Sequence, residues 1–169
     1  AIVAPLLVRR DTGERLRWSE LDPGRPPTDA EAAAEYVAWD EVEARWIGVG
    51  TARLGAPGTR AALDGRLRAT LRDGSTVEVS PGFDFVREEL GRWTPEAAEA
   101  VTGIRADMIV RVARAYAAAR PAAILMGGGS NHWYHGDLNG RAFALLAALT
   151  GNIGKSGGGF SVYVGQYKV

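Results

Sequence analysis

Hydrophobic and polar positions alternate with a period of two over residues 67–79, near the end of the first half of the chain. Residues 67–71 and 76–79 show this alternation on either side of Asp73-Gly74. Such a pattern is typical of a β-hairpin closed by a two-residue turn. Before it, short apolar runs are separated by turn residues and prolines, with a β-prone stretch at 36–40. We therefore predict a loop-rich amino-terminal region that contains a β-hairpin.

From residue 83 the apolar positions recur at helical spacing. One helix is predicted over 83–90, ending at Gly91. The next has Thr94 as its cap and Pro95 at its first position, where a missing N–H costs nothing. Gly103 is expected to end this short helix in a left-handed conformation.

The following segments predict an α/β unit. A longer helix is expected to begin at Asp107 and to be ended by Pro121, with one stripe of side chains buried: Ile109, Val112, Ala113, Tyr116 and Ala117. The apolar run 122–126 predicts a buried parallel strand, and three glycines at 127–129 end it. A last helix is expected to have Asp137 as its cap and to end at Gly151, with Leu138, Ala142, Leu145 and Leu149 on one face.

Composition and charge exclude several classes of protein. Apolar residues make up 46% and charged residues 24%, which is typical of a folded globular chain and not of a disordered or fibrous one. Twenty basic residues balance twenty acidic ones, so no nucleic-acid partner is expected. The absence of Cys excludes disulfides and Cys-ligated zinc or iron–sulfur sites within these residues. No apolar run approaches the roughly 20 residues of a membrane span. Since the chain starts without Met, we expect it to be an internal part of a longer protein.

The strongest candidate for binding is the glycine turn at 127–129 and the aromatic string that follows it. Glycines at the carboxyl end of a strand allow backbone N–H groups to approach a ligand closely, and the next helix can direct its positive end at a phosphate. The third glycine of the dinucleotide fingerprint is missing, because His132 stands in its place. Phosphate binding and an ordinary tight turn therefore both remain open.

A second glycine-rich stretch lies at 154–159. Its Gly154-Lys155-Ser156 resembles the end of a P-loop, but only two residues separate Gly151 from Gly154 and a helix precedes them. We therefore exclude a P-loop ATPase. A structural turn and a close approach to a cofactor are equally open for the glycines at 157–159.

The two histidines, His132 and His135, do not indicate a metal site, since they lie in a loop without a Cys or Glu-rich partner. Stacking against a heteroaromatic ring, helped by Trp133 and Tyr134, is favoured, with core packing as the alternative. Ser130 lacks the context of a catalytic nucleophile. Arg141 is expected to be solvated unless a phosphate lies near it. We predict no catalytic residue and no metal ligand in this chain.

Specific strings connect these residues to a known family. The strings are 5–8 with 11–17, 93–95 with 102–103, Asn131-His132-Trp133-Tyr134-His135, and Ser156-Gly157-Gly158-Gly159 with Tyr163-Val164-Gly165-Gln166. The chain thereby resembles the catalytic (alpha) subunits of molybdenum oxidoreductases of the dimethyl sulfoxide reductase family. The closest resemblance is to the respiratory branch, which includes nitrate, selenate and (per)chlorate reductases and nitrite oxidoreductases.

The resemblance implies a multidomain enzyme and a molybdenum bis(molybdopterin guanine dinucleotide) cofactor. Within it, residues 1–92 would form part of the molybdopterin-binding region, and residues 93–169 a segment of a nucleotide-binding α/β domain. Gly127 and Gly129 would allow close backbone approach. The other implied cofactor contacts are Ser130 and Asn131 as hydrogen-bonding residues, His132 and Trp133 as pocket lining, and Gly157, Gly158 and Gln166 near the other end of the cofactor.

The resemblance also implies the reaction and the partners. The intact enzyme would reduce or oxidise an oxyanion such as nitrate, nitrite, selenate or chlorate, or hydroxylate a small organic substrate. The form of residues 151–155 leans away from classical nitrate reductases. The metal ligand and an iron–sulfur cluster would lie elsewhere in the catalytic subunit. Expected partners are the rest of that subunit and an iron–sulfur beta subunit, with a haem gamma subunit as a further candidate. The alternative is a non-catalytic nucleotide-binding or regulatory α/β module.

Overall fold

The computed structural model describes residues 4–49, 58–130 and 132–162. The chain is mixed α/β, as predicted, and divides into two compact units, residues 2–93 and residues 94–169. The elements of the first unit are β1 Leu7–Arg9, α1 Asp29–Ala32, β2 Tyr36–Asp40, β3 Arg45–Val49, β4 Leu67–Thr70, β5 Thr76–Pro81 and α2 Gly82–Leu90. Those of the second are α3 Pro95–Thr102, α4 Ala106–Ala118, β6 Ala123–Met126, α5 Gly136–Leu149 and β7 Gly159–Val162.

The first unit is built on an antiparallel sheet with strand order β1-β5-β4, beside a separate hairpin of β2 and β3. The predicted hairpin at β4 and β5 is confirmed, with Leu67 opposite Val79 and Thr70 opposite Thr76. Apolar side chains from these strands and from the loop after β1 form one core: Leu7, Leu16, Trp18, Leu21, Val37, Ala69, Leu71 and Val79. Alternating strand positions therefore supply the core, as the period of two predicts.

The turn of this hairpin is one residue longer than predicted. The N–H of Leu71 donates to the Ser75 carbonyl oxygen, and the N–H of Gly74 donates to that of Leu71. Gly74 has a φ of 83°. This is the pattern of a three-residue loop, in which a type I turn is followed by a left-handed glycine. An Asp-Gly pair suits both turn lengths, so the strand register decides between them.

A buried carboxylate joins α1 to β3 in the first unit. Glu31 is 3% exposed and accepts hydrogen bonds from Arg25 at 2.6 and 2.9 Å and from Arg45 at 3.2 Å. It also completes a capping box with Thr28. The Arg25 guanidinium, aided by Thr28, lowers the pKa of Glu31 to about 2 against the opposing effect of burial. Glu31 therefore stays ionised despite its burial.

A second polar cluster connects β1 to α2. The guanidinium of Arg10 donates to Ser80 Oγ at 2.8 Å, to Asp84 at 3.0 Å and to Glu88 at 2.6 Å. Its Cζ also lies 4.6 Å from the centre of the Phe85 ring. Hydrogen bonding by Glu88, followed by Asp84, raises the pKa of Arg10. One side chain therefore holds helix α2 against the sheet.

The second unit contains a β-α-β arrangement. Strands β6 and β7 pair in parallel, with Ala123 opposite Gly159 and Met126 opposite Val162, and α5 connects them. The short helix α3 is confirmed in detail, because Thr94 Oγ1 accepts from the Ala97 N–H and Gly103 has a φ of 72°. Strand β6 and the glycine turn after it also lie where the sequence predicted them.

The burial predicted for α4 and β6 is wrong for this chain. Helix α4 begins at Ala106, one residue before the predicted start at Asp107, and its cap residue Arg105 makes no side-chain hydrogen bond to the helix end. The stripe expected to be buried is largely exposed, with Val112 at 60%, and Leu125 of β6 is 78% exposed. Leu125 is exposed because a parallel strand is buried only when helices cover both faces of its sheet. In the described part of this unit, one helix, α5, crosses over between the two strands.

The prediction for α5 is also corrected. His135, with a φ of 58°, occupies the cap position, and Asp137 lies in the first turn. Leu138 and Leu149 are more than half exposed, whereas Ala147 is buried. The packed side of the helix contains Phe143 and Ala147, with the ring centres of Phe143 and Phe160 6.1 Å apart. Apolar residues occur all around this helix, so periodicity could not identify the packed face.

No helix among the described residues has the length and apolar character needed to cross a membrane.

Candidate functional site

The glycine turn begins at the carboxyl end of β6. Residues 128–130 form a single 3₁₀ turn. The hydroxyl of Ser130 donates to the carbonyl oxygen of Gly127 at 3.1 Å, which closes the turn. The Ser130 carbonyl oxygen accepts from Asn139 Nδ2 at 2.8 Å. The turn is therefore attached at its start to a strand and at its end to helix α5.

Among the described residues, nothing requires glycine at Gly127 or Gly129. Neither has a positive φ, and a Cβ built on either one meets no atom of the described residues within 4 Å. Glycine loses more conformational entropy on folding than any other residue. These two positions carry an entropic cost without a left-handed backbone or a close neighbour in the described part of the chain. The turn consequently presents bare backbone to whatever lies next to it.

The aromatic string after the turn is open to solvent. Trp133 is 76% and Tyr134 91% exposed, and His132 is exposed as well. The rings of Tyr134 and His135 lie 4.0 Å apart at 56°. Core packing within the described part of this unit is therefore not their role, whereas their faces remain accessible for stacking. Asn131, predicted as a hydrogen-bonding residue, lies outside the described residues.

The second glycine cluster lies at the opposite end of β6 from the first. Gly157 has a φ of 74° and its Cβ position is 3.3 Å from Pro121 Cγ, while that of Gly158 is 2.9 Å from the Asn152 carbonyl oxygen. The chain's own packing thus requires both glycines, and the ends of the four-residue strand β6 are about 10 Å apart. Their predicted contact with a cofactor stays a prediction, as does that of Gln166, which lies outside the described residues.

Asn152 holds this second cluster together, and the sequence analysis missed it. The side chain is fully buried. Its Oδ1 accepts from the Ala122 N–H at 3.0 Å, and its Nδ2 donates to Thr150 Oγ1 at 2.8 Å. The N–H of Gly159 donates to the Ala122 carbonyl oxygen at 3.0 Å. The residue thereby joins the end of α5 to the starts of both parallel strands.

The amino end of α5 carries its own negative charge. Asp137 lies in the first turn and pairs with Arg141 at 3.5 Å, with both side chains mostly exposed. Arg141 is therefore exposed and paired with Asp137, and this arrangement places a carboxylate where a helix would otherwise attract a phosphate. In the described part of the chain, no three His, Asp or Glu side chains are grouped closely enough to hold a metal ion.

Comparison with known proteins adds the decisive observation. No protein-family model matches the chain. The perchlorate reductase alpha subunit of Dechloromonas aromatica is 45% identical over 108 residues, covering 63% of the chain and 12% of that subunit. The respiratory nitrate reductase alpha subunit of Haloferax mediterranei is 35% identical over 182 aligned positions, covering 98% of the chain and 18% of that subunit. Formate dehydrogenase H of Escherichia coli is 42% identical over 88 residues, covering 52% of the chain and 12% of that enzyme.

The chain belongs to the molybdopterin oxidoreductase family. This confirms the resemblance deduced from the sequence strings, and its relatives are oxidoreductases. The chain spans less than a fifth of the length of these relatives. Family membership is thus established for the segment.

Proposed function

We propose that this chain is a cofactor-holding part of the catalytic subunit of a molybdenum oxidoreductase. The cofactor is molybdenum bis(molybdopterin guanine dinucleotide). The substrate class is an oxyanion such as nitrate, nitrite, selenate or chlorate, with hydroxylation or oxidation of a small organic molecule as the other reaction open to such an enzyme. The names of the relatives support the first class, since they include perchlorate and nitrate reductases.

The observation that carries the proposal is the bare backbone at Gly127 and Gly129. A cofactor lying against the turn would explain why both positions lack a Cβ although the described residues leave room for one. Ser130 and Asn131 would hydrogen-bond the pterin or phosphate groups, and His132 and Trp133 would line the pocket. When bound, the cofactor supplies the metal that exchanges an oxygen atom with the substrate.

The charges at the site favour the turn over the helix as the phosphate contact. The Asp137 carboxylate in the first turn of α5 would repel a phosphate placed on the helix end. Backbone N–H groups of the turn carry no such charge. Negatively charged groups of the cofactor are therefore expected beside the glycine turn, where the residues of this chain bind and orient them and take no part in the chemistry.

The larger assembly follows from the same proposal. Residues 1–92 would belong to the molybdopterin-binding region and residues 93–169 to a cofactor-binding α/β domain. The partners would be the rest of the catalytic subunit, an iron–sulfur beta subunit and a haem gamma subunit. The iron–sulfur cluster and the molybdenum ligand of the catalytic subunit would lie outside this segment, in agreement with its lack of Cys.

Substitution of the glycines tests the proposal. In the full-length subunit, Gly127→Ala and Gly129→Ala should lower the molybdenum and guanine nucleotide recovered per chain. The melting temperature of the cofactor-free subunit should stay unchanged or rise slightly, because Ala fits the backbone at both sites and restricts the unfolded chain. Gly158→Ala is the matched control, since its Cβ would meet the Asn152 carbonyl oxygen and should lower that melting temperature.

Two outcomes would contradict the proposal. Full molybdenum and nucleotide content in both turn variants would mean that nothing approaches the turn closely. An intact wild-type protein that contains neither molybdenum nor guanine nucleotide would support the alternative, a non-catalytic nucleotide-binding or regulatory module.

A further inference from the structure

Asn139 is an exposed polar residue near the start of α5. It precedes Phe143 by four residues and Ala147 by eight, and both of these side chains face the parallel strands. The Asn139 amide lies beside the end of the glycine turn, with its Nδ2 2.8 Å from the Ser130 carbonyl oxygen.

The neighbouring residue lies where α5 passes the end of β6. The Cβ position of Gly140 is 3.9 Å from the Met126 methyl carbon, an ordinary van der Waals distance. Helix and strand are therefore in contact beside Asn139, and the Asn139 amide holds the last carbonyl group of the turn.

We propose that Asn139 is a positioning residue for the cofactor site. It holds the Ser130 carbonyl group, and through it the point where the chain leaves the turn toward His132 and Trp133. Asn139 itself does not contact the cofactor. This inference rests on the proposed function, since it matters only if the turn and the aromatic string after it bind the molybdopterin cofactor.

The position of the residue separates this role from a structural one. Asn139 is exposed, so its hydrogen bond contributes little to folding. With the cofactor bound, the same hydrogen bond would restrain the end of the glycine turn beside a rigid ligand, and loss of the bond would speed release of that ligand. Retention of the cofactor should therefore depend on Asn139 while the stability of the cofactor-free protein does not.

Isosteric substitution gives the test. Asn139→Asp removes the N–H donor and sets a carboxylate oxygen against the Ser130 carbonyl oxygen, and an acidic residue near the start of a helix is otherwise well tolerated. We expect guanine nucleotide to leave the purified holoenzyme about fivefold faster, the change that corresponds to one ordinary hydrogen bond. Asn139→Gln keeps an amide donor and should restore retention. Arg141→Gln, an exposed change on the same helix, is the control.

The readouts are the rate of nucleotide release, the molybdenum content per chain and the melting temperature of the cofactor-free subunit. Faster release from Asn139→Asp, with wild-type release from Asn139→Gln and Arg141→Gln and unchanged melting, supports the inference. If Asn139→Asp releases nucleotide at the wild-type rate while the separate variant Gly127→Ala loses cofactor, the inference is overturned and the proposed function stands. If Asn139→Asp and Gly127→Ala both retain the cofactor fully, the proposed function is overturned as well. A melting temperature lowered as far as in Gly158→Ala would make Asn139 a structural residue and overturn the inference.

Discussion

Replacing Asn152 with Ala should loosen the start of strand β6. The buried Asn152 side chain is the acceptor for the Ala122 N–H, and Ala122 is itself only 8% exposed. Removing the acceptor leaves a buried donor unpaired, at a cost of about 1–3 kcal/mol. The bond to Thr150 adds less, because the Thr150 hydroxyl keeps the Leu146 carbonyl oxygen at 2.9 Å. We expect local opening of β6 to become easier by about 2–3 kcal/mol in total.

Hydrogen–deuterium exchange of the full-length subunit measures this opening directly. A change of about 2–3 kcal/mol corresponds to roughly 30- to 150-fold faster exchange in peptides that cover residues 122–126. The control is Ile153→Ala, because the neighbouring Ile153 side chain is 57% exposed and packs little. Unchanged exchange in Asn152→Ala, or equal acceleration in Ile153→Ala, would refute the assignment of Asn152 as the residue that fixes this strand.

Three further predictions concern the amino-terminal unit. The pKa of Glu31 is held at about 2, below its ordinary 4.5. The ionised side chain therefore contributes about 2–3 kcal/mol to the free energy of unfolding above pH 4.5, and this contribution is lost as the pH falls toward 2. Urea unfolding at a series of pH values should show this loss, and Glu31→Gln should abolish it. Arg10→Met should cost about 2 kcal/mol in thermal unfolding, because Asp84 would remain buried with a weaker partner, and wild-type stability in this variant would contradict the assigned cluster. Gly74→Ala should cost about 1 kcal/mol at its left-handed backbone, so an unaltered melting temperature would argue against the three-residue turn.

Local signals in the sequence predicted what depends on local interactions. Helix α3 is correct at both ends, because a capping Thr94 and a left-handed Gly103 act within their own turns. The hairpin was predicted but its turn was not, since Asp73-Gly74 fits two loop lengths and only the pairing of Thr70 with Thr76 selects one. Signals of this kind do not depend on what surrounds the element.

Burial was predicted less well because it depends on neighbours. The stripe that contains Val112 has the spacing of a packed face, yet it is exposed in this chain. In α5 several stripes are apolar, and the packed one contains Phe143 and Ala147. A polar residue in line with Phe143 and Ala147 was the available signal for Asn139, and the Asn that follows the left-handed Gly151 was the signal for Asn152.

The two glycine clusters show how a functional glycine can be separated from a structural one. In the sequence both are three consecutive glycines after an α/β element, and periodicity treats them alike. In the structure, Gly158 is required by the Asn152 carbonyl oxygen at 2.9 Å from its Cβ position, whereas no atom of the described residues lies within 4 Å of the Gly127 Cβ position. Loss of cofactor in Gly158→Ala would therefore say nothing about binding, because the fold itself is disturbed. Loss of cofactor in Gly127→Ala would have no such explanation. Gly127 also lies at the carboxyl end of a strand, which is the end at which ligands bind in an open α/β sheet.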